Sequence, residues 1–236
     1  MACQSKPANI NDNINDNSNV KKEILLLSIA ENINMQTGSL HLFVKESKAW
    51  EKQSAAFPVS YGKKGLAWVP EHWPQPSPEK INKKEGDLRS PAGIFQIGTL
   101  FGRETFETNC PFEKLHNNLQ CIEDVQSKWY NDIVDHRIEK DWNSTDVMLR
   151  SDGLFDFGFF LEHNLKDEKG KGSCVFFHIW GSENKATAGC TAMSRNDMKK
   201  VLHFLDCDAR IRVIQCPKEA YRNLSVHGDF PKLFSE

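Results

Sequence analysis

Short apolar or alternating runs, each cut off by turn residues after a few positions, recur along this chain and limit it to a strand-dominated fold. Glu23 to Glu31 encloses Ile24-Leu25-Leu26-Leu27-Ser28-Ile29. Ser39 to Lys45 alternates Leu40, Leu42 and Val44 with His41, Phe43 and Lys45. Phe57 to Tyr61, Ala92 to Ile97, Leu154 to Leu161, Ser173 to Phe177 and Arg210 to Gln215 also read as strands, with Phe155, Phe157 and Phe159 assigned to one face. Gly62-Lys63-Lys64-Gly65 is a turn, and Trp68 to Pro78 is a proline-rich irregular loop whose Trp68 and Trp73 are read as packing residues. Helical signals are fewer. Ser194 and Asp197 form an N-terminal capping pair, after which Met198, Val201, Leu202 and Leu205 recur at the spacing of one buried helix face. Cys121 to Arg137 is expected to add a surface helix. The reading is therefore β-rich, mainly β with a few helices, and without internal repeats.

With 236 residues, 39% of them hydrophobic, the chain is long enough for one main domain with a sizeable core, placed at residues 21–236. Residues 1–20 contain the polar, Asn-rich tract from Asn9 to Asn19, too poor in apolar area to fold, and read as a disordered leader or tether. Cys3 in that leader is either a lipid-anchor position or an unmodified thiol; no charged start and apolar core of an export signal precedes it. No apolar run is long enough for a transmembrane helix, and a formal charge of −2 gives no reason to expect nucleic acid, which usually needs a basic face. Seven cysteines are an odd number, which leaves at least one thiol outside any internal pairing. Cys190 fits the free one. Cys110 with Cys121, or Cys207 with Cys216, are pairings left open, and Cys174 is read as a packed thiol.

The chemistry concentrates between His178 and Cys190, joined by Ile179-Trp180-Gly181-Ser182-Glu183-Asn184-Lys185-Ala186-Thr187-Ala188-Gly189. A thiol becomes a useful nucleophile when an imidazole takes its proton and stabilises the thiolate, and nearby backbone amides can then hold an oxyanion. His178 ends a buried apolar strand, where a side chain can face a cleft. Thr187-Ala188-Gly189 is a small-residue turn in which Gly189 is expected to take a positive φ or to let the backbone approach a substrate. Thr187 and Thr191 are positioning candidates beside Gly189. Trp180, His163 and Asn164 are candidate cleft residues, Asn164 also reading as a turn former. A metal site built from His178, Cys190, Cys174 and His163 lacks the close Cys/His pairs that zinc sites use, so neither metal nor cofactor is expected.

These residues resemble the L,D-transpeptidase catalytic domain family (YkuD type), whose signature is a histidine, a variable loop, then Ser/Thr-x-Gly-Cys, here His178, Thr187, Gly189 and Cys190. The block Gly86-Asp87-Leu88-Arg89-Ser90-Pro91-Ala92-Gly93-Ile94-Phe95 is similar to the segment such domains carry upstream. Ile122-Glu123-Asp124-Val125 and Tyr130 to Asp135 resemble a branch with Thr-Ala-Met after the cysteine. The resemblance spans about residues 55 to 216. It implies a β-sandwich of mixed sheets, stem peptides of peptidoglycan as substrate, release of a terminal D-residue through an acyl-enzyme on Cys190, and a place in the cell envelope. The acceptor is an amine on a second stem, or water in an L,D-carboxypeptidase or related wall amidase; a noncatalytic wall-binding module is the remaining alternative. Many family members have an arginine two residues after the nucleophile, where this chain has Ala192. Lys185, Arg89 and Arg195 are the cations considered for the substrate carboxylate.

Overall fold

The computed structural model describes residues 22–75, 79–137 and 139–234. Its strands are β1 (Glu23–Ala30), β2 (Thr37–Lys45), β3 (Trp50–Lys52), β4 (Phe57–Ser60), β5 (Leu66–Trp68), β6 (Ser90–Gly102), β7 (Phe112–Lys114), β8 (Leu119–Ile122), β9 (Ile133–Asp135), β10 (Thr145–Val147), β11 (Phe157–Glu162), β12 (Phe176–Ile179), β13 (Thr191–Met193) and β14 (Arg210–Pro217). Two α-helices follow the site, α1 (Arg195–Phe204) and α2 (Lys218–His227). The chain is mostly β, and its sheets mix parallel with antiparallel pairs.

The main sheet runs β1-β14-β6-β11-β12-β13-β4-β2-β3, and β1 also pairs with β2. That extra pairing closes the path from β1 to β2 into a ring, with β3 attached to β2 outside it, so the layers expected of a sandwich are continuous parts of one closed sheet. β1 lies between β14, its parallel neighbour, and β2, its antiparallel one. Its run from Ile24 to Ala30 is buried throughout, which is why it reads as a continuous apolar stretch without alternation.

α1 begins as its sequence indicates: Ser194 Oγ accepts from Asp197 N at 3.1 Å and donates to Asp197 Oδ2 at 2.8 Å. Met198, Val201 and Leu202 are its buried face and join Phe159 and Phe177 in the main core. The rings of Phe159 and Phe177 stack at 4.7 Å across β11 and β12.

Three expectations change. Cys121 to Arg137 is no helix: β8 pairs with both β9 and β10 in a separate three-stranded sheet. The physical reason is turn chemistry. Asp124 accepts from the amides of Gln126 and Asn143, and Asn131 takes a left-handed φ of 69°. Phe155 lies ahead of β11 and packs in a second cluster with Phe101 and Phe176, whereas Phe159 faces the main core, so the three phenylalanines do not share a face.

The disulfides are the third change. Cys110 pairs with Cys207 and Cys121 with Cys174, while Cys190 and Cys216 are free. Both bridges join segments far apart in the chain, which pairing by sequence proximity cannot find. Cys121–Cys174 ties the small sheet to the segment entering β12. That segment is also held where Asn131 Oδ1 accepts from Cys174 N at 3.0 Å and where Tyr130 and Ser173 both donate to Glu85. Cys3 and residues 1–20 lie outside the described residues.

Candidate active site

β12 and β13 are parallel neighbours with Phe177 opposite Thr191 and His178 opposite Ala192. A parallel pair needs a crossover, and residues 180–190 supply one that returns the chain from the end of β12 to the start of β13. Cys190 thereby falls one step before the Phe177–Thr191 pair, level with Phe176. Alternation along each strand puts Phe176, His178 and Cys190 on one face and Phe177 and Thr191 on the other. Direct contacts agree. Phe176 N donates to Cys190 Sγ at 3.3 Å, and the Phe155 ring meets both the His178 ring at 5.1 Å and the Phe176 ring at 5.3 Å.

The Cys190 turn is clamped through its carbonyl. Ser90 Oγ donates to Cys190 O at 2.6 Å and Thr187 Oγ1 does so at 2.7 Å. Ser90 in turn accepts from Gly62 N at 2.9 Å. Ser90 comes from the upstream block, whose contribution is thus to hold the backbone of the cysteine from a hundred residues away. Asp87 builds that loop: it accepts from Lys84 N and Arg89 N and pairs with Lys83 at 2.7 Å.

Gly189 does not take the positive φ that is one of its two expected roles. Its φ is not in the left-handed region, a Cβ there would meet only Arg89 O at 3.4 Å, and its N–H is already given to Thr187 Oγ1 at 3.1 Å. Of the two amides considered for an oxyanion, that leaves the one on Cys190 itself. Thr191 is fully buried and donates to Gln215 Oε1 at 2.8 Å on the opposite face, so it belongs to the core.

The protonation states follow from the surroundings. A carbonyl can only accept, so the 2.8 Å contact of His178 Nδ1 with Ile179 O puts the proton on Nδ1 and leaves Nε2 as the basic nitrogen. Burial pushes the His178 imidazole down to about 4, and the Arg150 guanidinium adds to that push. Burial pushes the Cys190 thiol up to about 12, opposed by the Phe176 N–H and reinforced by the Asp146 and Glu123 carboxylates. The thiol donates to Cys174 O at 3.5 Å. At rest the pair is therefore a neutral thiol and a neutral imidazole, in place of the thiolate that a bare cysteine–histidine reading suggests.

That state has a measurable signature. Alkylation of Cys190 by iodoacetamide, followed by peptide mass mapping, is expected to rise about tenfold per pH unit from neutrality to about pH 10, because only the thiolate reacts. A rate plateau around neutral pH would instead show a preformed thiolate–imidazolium pair.

The remaining candidates divide. His163 is buried at the end of β11 with Nδ1 at 3.3 Å from Leu161 O, and burial pushes it down to about 3. Asn164 uses its amide group on Glu168 and Gly172, which makes it a turn brace. Arg89 donates to Leu66 O at 2.8 Å and to Asn34 Oδ1 at 3.1 Å, so it ties loops together and is not free for a ligand. Arg195 is held by Asp156 at 2.6 Å. Trp180, half-buried just after His178, and Lys185, exposed on the crossover, stay at the site's border. The sequence reading missed Ser90, Phe155 and Arg150. Ser90 had a signal, its place in the upstream block; Phe155 and Arg150 had none, since only folding carries their loop to His178. Among the described residues no cluster of three or more His, Cys, Asp or Glu is arranged to hold a metal ion, and no helix is long and apolar enough to cross a membrane.

A mostly β fold that presents a free thiol and an imidazole on adjacent strands defines a candidate of the thiol acyl-transfer class. The model of the L,D-transpeptidase catalytic domain (YkuD) matches residues 39–213, and the chain belongs to that family. No curated protein is significantly similar. The crystal structure of the helical cell shape determining protein Pgp2 from Campylobacter jejuni is similar at 17% identity with a TM-score of 0.44, covering 83% of this chain and 48% of that one. This chain thus spans about half the length of Pgp2.

Proposed function

We propose that the chain is a peptidoglycan-modifying cysteine acyltransferase of the cell envelope, an L,D-transpeptidase. The observation that carries this reading is the shared face of His178 and Cys190 across a parallel strand pair, with the thiol unbridged, in a chain of the YkuD family. Cys190 attacks the carbonyl that joins the L-centre of a diamino acid to the terminal D-residue of a stem peptide. His178 Nε2 takes the thiol proton as the sulfur attacks, so the charge develops on sulfur and oxygen in the transition state, not in the resting enzyme. For this the S–H turns from Cys174 O towards the imidazole. The Cys190 amide receives the oxyanion, and His178 returns the proton to the leaving amine. A side-chain amine of another stem then takes the acyl group and regenerates the thiol. Water in that role gives an L,D-carboxypeptidase.

Incubating the protein with a tetrapeptide stem, with and without an amine acceptor, and resolving the products by mass is the direct test. The expected result is loss of one D-residue, with a cross-linked dimer when the acceptor is present. Loss of the D-residue without a dimer selects the carboxypeptidase, and an unchanged tetrapeptide rejects both.

A further inference from the structure

We propose that Arg150 seats a carboxylate of the substrate beside Cys190 and His178, a specificity role that rests on the acyl-transfer reading above. The loop from Met148 to Asp156 brings Arg150 to the site. Ile179 N donates to Leu154 O at 3.0 Å, fixing this loop along the end of β12. The Arg150 guanidinium lies over the Phe155 ring at 5.1 Å, and the same ring meets His178 at 5.1 Å. One aromatic side chain thus separates the cation from the imidazole. The Arg150 charge lowers the His178 imidazole, and Cys190 in turn raises the Arg150 guanidinium, which places the cation within electrostatic range of both groups.

The guanidinium is built to present a fork. Nε and Nη2 donate to the two oxygens of Asp152 at 2.9 and 2.6 Å, and Arg103 Nη2 donates to the Arg150 carbonyl at 2.8 Å, so side chain and backbone are both fixed. Among the described residues Nη1 has only the Asp146 carboxylate at 4.0 Å, beyond hydrogen-bond reach. With a third of its side chain exposed, Arg150 keeps N–H groups for an incoming ligand. Glu123 and Asp146 act on Cys190 as well; burial raises Glu123 to about 7, which weakens its charge as a competitor for the cation near neutral pH, and burial also raises Asp146, opposed by Arg150. Lys83, whose charge acts on Cys190, is paired with Asp87. Arg89 is engaged by Leu66 O and Asn34, and Arg195 lies over the Phe157 ring and not over the Phe155 ring that meets His178. A stem peptide offers a matching carboxylate on its terminal D-residue and, where the diamino acid carries one, a second on its side chain.

The test separates Arg150 from the reaction itself. Iodoacetate and iodoacetamide alkylate the same sulfur and differ in a carboxylate against a neutral amide, so their rate ratio at Cys190 cancels any change in thiol acidity. In R150Q this ratio is expected to fall about fivefold, the size of one charge contact near a surface, while R150K keeps most of it. An unchanged ratio in R150Q overturns the proposal, whether or not any peptide is turned over. On stem tetrapeptides, the wild type is expected to prefer the free terminal carboxylate to its amide, and R150Q to lose that preference through KM. Loss of preference only for a diamino acid with a side-chain carboxylate, against lysine in its place, would assign that carboxylate instead. Retention of both preferences in R150Q also overturns the role. If the wild type leaves every stem peptide intact, the acyl-transfer reading fails and the alkylation ratio alone decides on Arg150.

Discussion

Replacing Cys190 by alanine is expected to abolish turnover of stem peptides and the covalent acyl adduct, with the fold retained. Without the sulfur, no group at this position can form the acyl intermediate, and a neutral imidazole with a backbone amide supplies only residual catalysis. The loss should exceed about four orders of magnitude, the scale seen when a nucleophile is removed from a unit that works as a whole. The structure bears the change because Cys190 is half-buried on a turn that Ser90 and Thr187 hold through its carbonyl, which alanine also has. The contacts given up are the Phe176 N–H to Sγ and the Sγ–H to Cys174 O, a cost of about 1 kcal/mol each at most. Turnover by mass, beside a thermal melt, checks both parts. Full activity in Cys190→Ala would reject the assignment.

The second large effect is on His178→Ala, which should slow acylation by about two to four orders of magnitude, the usual contribution of a positioned general base. Because the resting thiol is pushed up to about 12, little thiolate exists at neutral pH to react without assistance, and the dependence on the imidazole is correspondingly strong. The sign of the pH dependence follows. His178 is pushed down to about 4, so the neutral base is fully present at neutral pH and acylation falls only as the pH drops through that region. Single-turnover rates of wild type and variant across pH 4 to 8 measure both. A loss below tenfold, or a wild-type rate that already halves near the ordinary histidine pKa of about 6.5, would point to another base.

Much of the scaffold was legible because it depends on local pattern. The apolar run of β1, the alternation of β2 and the Ser194/Asp197 cap of α1 are properties of neighbouring residues, and each formed where it was read. The helix expected from Cys121 to Arg137 failed because its apolar residues serve two strands separated by Asx-type turns, a distinction periodicity alone does not make. α2 was not anticipated, its apolar positions Ala220, Tyr221 and Leu224 being too few to stand out.

His178 and Cys190 could be singled out from residue type, spacing and the turn between them, and so could the family. Their common face could not, because it depends on the parallel pairing of β12 with β13. Thr191 shows the same limit in reverse: one step along the strand reverses which side a residue faces, and the hydroxyl next to the thiol points into the core.

The amino-acid order by itself thus determined a strand-rich chain and singled out His178 and Cys190 as the candidate pair, since strand pattern and motif are both read from neighbouring residues. Only tertiary structure decided which cysteines join, that Ser90 holds the Cys190 backbone, that burial leaves thiol and imidazole uncharged at rest, and that Arg150 stands beside them. Those outcomes depend on groups brought together across the closed sheet, and desolvation and long-range pairing have no counterpart in sequence spacing.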